Sequence, residues 1–255
     1  MTESPWGPAQ DAIDTAVADA PETIADVVDQ LTRVQSALDR LPNLFAENPV
    51  ADFNTLYTTI TRQILLRHEA GGFEDAAFLN RLDIEFATRY FDALRLWGAN
   101  SPATPYAWSV LFRRYNDDDL RSLPCAAAGV NAHINYDLPF ALVATWERLG
   151  YAASNSPQHR DYLRINEIFF RAIPGLRRRF LSAWQRRIDR INGNFDDWYQ
   201  NFLVEFTRDR AWSRAQRIWP LRKDPGVLEE ERSAMDHHTA ALGQFLLSPF
   251  CSLLQ

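Results

Sequence analysis

The chain has 255 residues, of which 46% are hydrophobic, 13% aromatic and 24% charged, proportions that exclude disorder, collagen and coiled coil and suit a globular protein with a sizeable core. Its formal net charge of −6 argues against a general nucleic-acid binder, whose affinity needs a dominant positive field, and no apolar run is long enough to span a bilayer. The start, MTESPWGPAQ, has neither the basic nor the apolar region of a secretory leader, and Cys125 and Cys251 form no C-x-x-C pair, so the expected setting is cytoplasmic with reduced thiols.

Residues 1–20 read as a mobile acidic arm ahead of one helical domain over residues 21–255. A first helix begins after Pro21, because Ile24, Val27, Val28, Leu31, Val34, Leu38 and Leu41 recur at the three-four spacing of one buried stripe. A second, Asp52 to Glu69, buries Phe53, Leu56, Tyr57, Ile60 and Ile64 and stops at Gly71 and Gly72. A third is predicted from Asp75 to Trp97 and a fourth from Tyr106 to Tyr115, before the acidic turn Asn116 to Asp119. Asp117, Asp118 and Asp119 resemble the magnesium motif of terpene synthases, yet they fall in a turn and not on an apolar helix face.

The longest apolar segment, Cys125 to Trp146, is followed by a helix that Pro174 and Gly175 are expected to terminate. Two long helices then run from Leu176 to Ile191 and from Asn194 to Trp219. The first of these turns a run of arginines, Arg177 to Arg179 and Arg186, Arg187 and Arg190, toward solvent. A linker, Pro220 to Gly226, leads to a last helix from Leu228 to Leu247. With no internal repeat, the fold class is all-α: a single multi-helix bundle of about eight to ten helices.

Function is best sought among polar groups that fall on apolar helix faces, where each needs a partner or a task. Asp83 lies within the stripe Leu79, Leu82, Phe86, Tyr90, Ala93 and Trp97 and should point inward. The segment CAAAGVNAHINYDLPFALVATW is interrupted by Asn131, His133, Asn135 and Asp137. A spacing of four pairs His133 with Asp137 on one face and Asn131 with Asn135 on nearly the opposite one, and Pro139 breaks the hydrogen-bond ladder just beyond. Such a His–Asp pair can share a cation, or the carboxylate can orient an imidazole acting as acid or base. The competing reading is structural, with Asp137 capping a new helix whose first turn holds Pro139. Further inward candidates are Asn166, which lies with Tyr162, Ile165 and Phe169, and His238, which flanks Leu242 and Phe245. Arg210, at the end of an aromatic line, either pairs inward with Asp209 or Asp83 or forms a rim salt bridge.

The stretches GGFEDAAFLNRLDIEFATRYFDAL (71–94) and AAGVNAHINYDLPFAL (127–142) resemble those of a bacterial and fungal family called domain of unknown function 5995. The segments DYLRINEIFFRAIP and RDRAWSRAQRIW are also similar to that family's. The resemblance spans most of the chain and implies a single all-helical domain; it brings no catalytic residues.

The residues themselves point to a small-molecule enzyme of lyase, isomerase or cyclase type, acting by acid/base chemistry on a largely apolar substrate in an aromatic-lined pocket. His133, Asp137 and Asp83 are the candidate catalytic groups, and Asn131, Asn135, Tyr90, Asn166 and Arg210 the candidate substrate contacts. One alternative is a metal-assisted hydrolase holding one divalent metal on His133, Asp137 or His238, and another is a non-catalytic helical ligand-binding or scaffold protein. No glycine-rich loop suggests a nucleotide cofactor, and the oligomeric state is left open.

Overall fold

The structure is a computed structural model that describes residues 4–41, 48–115, 122–151, 156–185 and 208–248, with backbone alone for 122–123, 170 and 173–185. Its elements are α1 (Gln10–Ala16, preceded by a 3-10 turn at Gly7–Ala9), α2 (Ile24–Leu38), α3 (Pro49–Glu69), α4 (Ala76–Gly98), α5 (Tyr106–Phe112) and α6 (Ser122–Asn131). A π-turn, Ala132–Asp137, joins α6 to α7 (Leu138–Leu149), and α8 (Pro157–Gln185), α9 (Arg208–Ile218), a 3-10 turn (Trp219–Lys223) and α10 (Pro225–Leu246) complete the order. No strand occurs among the described residues, so the fold is all-α.

Local chemistry sets the helix starts. Thr23 and Asp26 form a capping box at α2, while Asn48 accepts from the amides of Val50 and Ala51 ahead of Pro49. Asp75, which the sequence placed inside its helix, is instead the cap of α4 and accepts from Phe78 N. Two helix starts are stitched from far along the chain. Asp161 on α8 accepts from Glu74 N and Asp75 N at 2.9 and 2.6 Å, and Asp236 on α10 accepts from Tyr106 N and Ala107 N at 2.9 and 2.7 Å. At the far end of α3 the chain leaves through Gly71, whose φ of +67° suits glycine.

Residues 4–20 do not lie apart as an arm. Trp6 is fully buried, donates its indole N–H to Leu94 O at 3.0 Å and meets Phe112 edge-on at 5.4 Å, and Ile13 and Ala16 join the same core. Pro174 and Gly175 also fail to end their helix, since α8 runs unbroken to Gln185. A helix can absorb the one backbone hydrogen bond that a proline removes when its neighbours hold it in place. The aspartates at 117–119, the arginines from 186 to 190 and the helix start expected at Asn194 lie outside the described residues.

The π-turn sits at the centre, in contact with α4, α5, α6, α7, α9 and α10. The approach of α6 to α3 depends on Gly129, because a Cβ there would overlap the ring of Phe53. Among the described residues no helix is long and apolar enough to cross a membrane.

Candidate functional site

The polar interruption of the apolar segment is resolved by winding. Over Ala132–Asp137 the helix opens to the π form, and Leu138 N–H reaches back five residues to His133 O. This wider turn accommodates Pro139, which has no N–H to give to Asn135 O. Asp137 stands at the N-cap position of α7 with Pro139 in the first turn, but its side chain makes no capping bond. Its Oδ2 instead lies 3.0 Å from His133 Nδ1 and accepts from Trp108 Nε1 at 2.9 Å.

His133 is buried in aromatic surroundings. Phe86 lies flat on its ring at 3.4 Å, and Tyr57 and Phe53 present themselves at steep angles at 4.5 and 5.7 Å. Its Nε2 is shut off from solvent with no hydrogen-bond partner among the described residues. His133 belongs to the lining of a cavity of about 50 Å³ bounded by α3, α4, α6, the π-turn, α7, α8 and α9. Most of the lining is aliphatic or aromatic, with Asp83, Tyr57 and Arg208 as its other polar members. Asp83 Oδ2, the Tyr57 hydroxyl and Arg208 Nε are likewise buried and unpartnered. Four polar side chains with unmet hydrogen-bonding capacity thus border one apolar space, a costly arrangement unless something polar enters it.

The electrostatics favour neutral forms. Burial pushes the Asp83 carboxyl up to about 7, only partly offset by the positive charge of Arg208. Burial drives Tyr57 well up, with the negative fields of Asp83 and Asp137 acting in the same direction. In the His133–Asp137 pair burial lowers the imidazole and raises the carboxyl, with Arg89 partly countering the latter. The two titrate as one unit. With Asp137 protonated, its O–H donates to Nδ1 and Nε2 carries the hydrogen. Once that proton leaves, Nδ1–H faces the carboxylate and Nε2 presents a lone pair. The pair can therefore act as acid or as base at the same nitrogen.

The structure divides the sequence-derived candidates between two places. His133, Asp137 and Asp83 come together as expected, with Asp137 behind the imidazole. Tyr90 is fully buried against Trp108, one layer behind the cavity, and makes no part of its wall. Asn166 misses the wall as well, which α8 supplies through Ile165 and Phe169. Arg210 is exposed, and the arginine that reaches the cavity is Arg208, held over the Tyr162 ring at 4.3 Å. Asn135 donates to Asn131 Oδ1 at 3.1 Å, Asn131 donates to Thr239 O at 2.8 Å, and both line a second cleft on the other side of the π-turn. His238 is exposed in that second cleft, so the three metal candidates do not form one site. Among the described residues no group of three or more His, Cys, Asp or Glu side chains is placed to hold a metal ion.

Arg208, Tyr57, Phe86 and Trp108 complete the first site and were not singled out by sequence. For Tyr57 a signal existed, a hydroxyl within an otherwise apolar stripe of α3. For Arg208 there was none, because its facing depends on where α9 docks.

No curated protein and no solved structure matches the chain. The model of the family of unknown function DUF5995 matches residues 24–249, and the chain belongs to that family.

Proposed function

We propose that this protein is an enzyme that moves a proton on a small, largely apolar molecule, by lyase or isomerase chemistry. His133 acts as the acid/base group, Asp137 as the partner that orients it, and Asp83 as a second carboxyl able to give or take a proton near neutral pH. The observation that carries the reading is that His133 and Asp83, each with a buried and unpartnered polar atom among the described residues, both line one apolar cavity. Tyr57 and Arg208 would hold a carbonyl or developing oxyanion. Trp108 would keep Asp137 fixed.

At about 50 Å³ the cavity holds about three to four water molecules, so it admits the reacting end of a substrate and not a polycyclic skeleton. This favours proton abstraction beside a carbonyl, or elimination, over cyclisation. A cytoplasmic setting suits the reading.

The test is deuterium incorporation from heavy water, followed by proton NMR, across a panel of short ketones, 2-oxo acids and 3-hydroxy acids. Exchange that is present in the wild type and lost in both His133→Gln and Asp83→Asn, with unchanged circular dichroism, supports the assignment. Exchange that survives both substitutions removes these residues from the chemistry. Stable binding of a panel member without exchange would favour a ligand-binding protein instead.

A further inference from the structure

The second cleft has a volume of about 420 Å³, within the range of pockets that take small organic ligands, about 300–1,000 Å³. Its chemistry differs from that of the first. Arg210, Arg214 and Arg217 follow one another at intervals of four and three along α9, which places them on one face of that helix, and all three line the cleft. Opposite stand His238 on α10 and Asn135 on the π-turn, while Leu242 and Pro139 supply apolar wall.

Concentrating cations on one wall is unusual in a chain of net charge −6. Partial burial disfavours the charge on Arg214, the fields of Arg217 and Arg210 add to this, and Glu231 opposes it from beyond ion-pair distance. Neither Arg214 nor Arg217 has a carboxylate within 4 Å among the described residues. A second observation concerns the same wall: Thr239, fully buried, belongs to the lining of the cleft, and its hydroxyl has no hydrogen-bond partner among the described residues.

Three guanidinium groups with an imidazole and an amide at hand present many N–H donors around one volume. A monocarboxylate would occupy few of them, whereas a phosphate or pyrophosphate group offers several oxygens and a double negative charge. We propose that this cleft binds a small molecule bearing a phosphate or pyrophosphate group, its organic part lying along Leu242 and Pro139. The site is separate from the proton-transfer cavity, so either assignment can fail without the other.

The experiment is isothermal titration of the full chain with pyrophosphate, inorganic phosphate and citrate at matched ionic strength. The variants are Arg214→Gln, Arg217→Gln and, as a charge control on the distant α2, Arg33→Gln. One pyrophosphate per chain is expected, with affinity falling about tenfold or more in each cleft variant and unchanged in the control. Arg217 is exposed, so its variant should fold normally. Absence of pyrophosphate binding would overturn the proposal, as would equal weakening in Arg33→Gln or full affinity in both cleft variants. Citrate binding as tightly as pyrophosphate would overturn the phosphate assignment.

Discussion

Replacing Asp83 by Asn should change how stability depends on pH, and the size of the change follows from the surroundings of the carboxyl. Asp83 is 6% exposed on α4, and burial raises it from 3.8 in the unfolded chain to about 7 in the fold. Between those values the folded protein holds a proton that the unfolded chain has released. Stability from this group is therefore whole only below about 3.8 and falls as pH rises, the loss being complete just above 7. Each tenfold change in proton affinity is worth about 1.4 kcal/mol, so the full loss is about 4 kcal/mol. Asparagine has the shape of the protonated acid and cannot ionise. The Asp83→Asn chain should exceed the wild type by about 1.5 kcal/mol at pH 5 and by about 4 kcal/mol at pH 8.5.

Urea unfolding followed by tryptophan fluorescence at intervals from pH 5 to 8.5 measures this, with a midpoint gap of about 1 M or more expected at the alkaline end. Asp137 and Asp236, both raised by burial, tilt stability the same way, while His133, lowered by burial, erodes it as pH falls below its ordinary range. These groups are present in both chains, so the difference between the chains isolates Asp83 to the extent that they do not couple to it. If the two curves run parallel across the whole range, Asp83 is ionised throughout. A carboxyl that is never neutral cannot act as an acid at neutral pH.

Trp6→Ala should cost about 3–5 kcal/mol in the same urea assay, because it empties a fully buried site and removes the bond to Leu94 O; a cost below about 0.5 kcal/mol would restore the mobile arm. Asp236→Ala leaves two amides at the start of α5 without their acceptor and should cost about 1–2 kcal/mol, whereas Ser248→Ala, far from that cap, should be close to neutral. Gly129→Ala drives a methyl into Phe53 and should cost about 1–3 kcal/mol, accompanied by a shift of the His133 ring protons in NMR because Phe53 touches that ring. Unmoved His133 signals in a destabilised Gly129→Ala would show that the α3–α6 contact does not position the imidazole.

Most of the helices were legible because their apolar stripes are long. Ile24 to Leu38 and Ala76 to Gly98 repeat the three-four spacing over four or more turns, and the observed ends differ from the sequence reading by only a few residues. The failures have separate causes. Gln10–Ala16 is only two turns long, so too few positions repeat to reveal a stripe, and its anchor Trp6 precedes it in a turn. Pro174 and Gly175 are punctuation that neighbouring turns outweigh, a matter of context that local residue type does not encode.

At the site, spacing predicted pairs but could not say which neighbour each pair would meet. His133 and Asp137 do bond, and so do Asn131 and Asn135, each at an interval of four. The opposition of the two faces also holds, and it separates two chemistries: His133 of the first pair borders an apolar cavity and the second pair a cleft of arginines. The same division recurs along α9, where Arg208 belongs to the cavity and Arg210 to the cleft. Two residues along a helix turn a side chain through about 200°, so expecting Arg210 inward exchanged the roles of two adjacent arginines. The π-turn and α9 are thus shared walls. A group that binds on one side and tightens either element must act on residues facing the other, and that makes the acid/base behaviour of His133 with and without pyrophosphate the most direct measure of whether the two spaces are coupled.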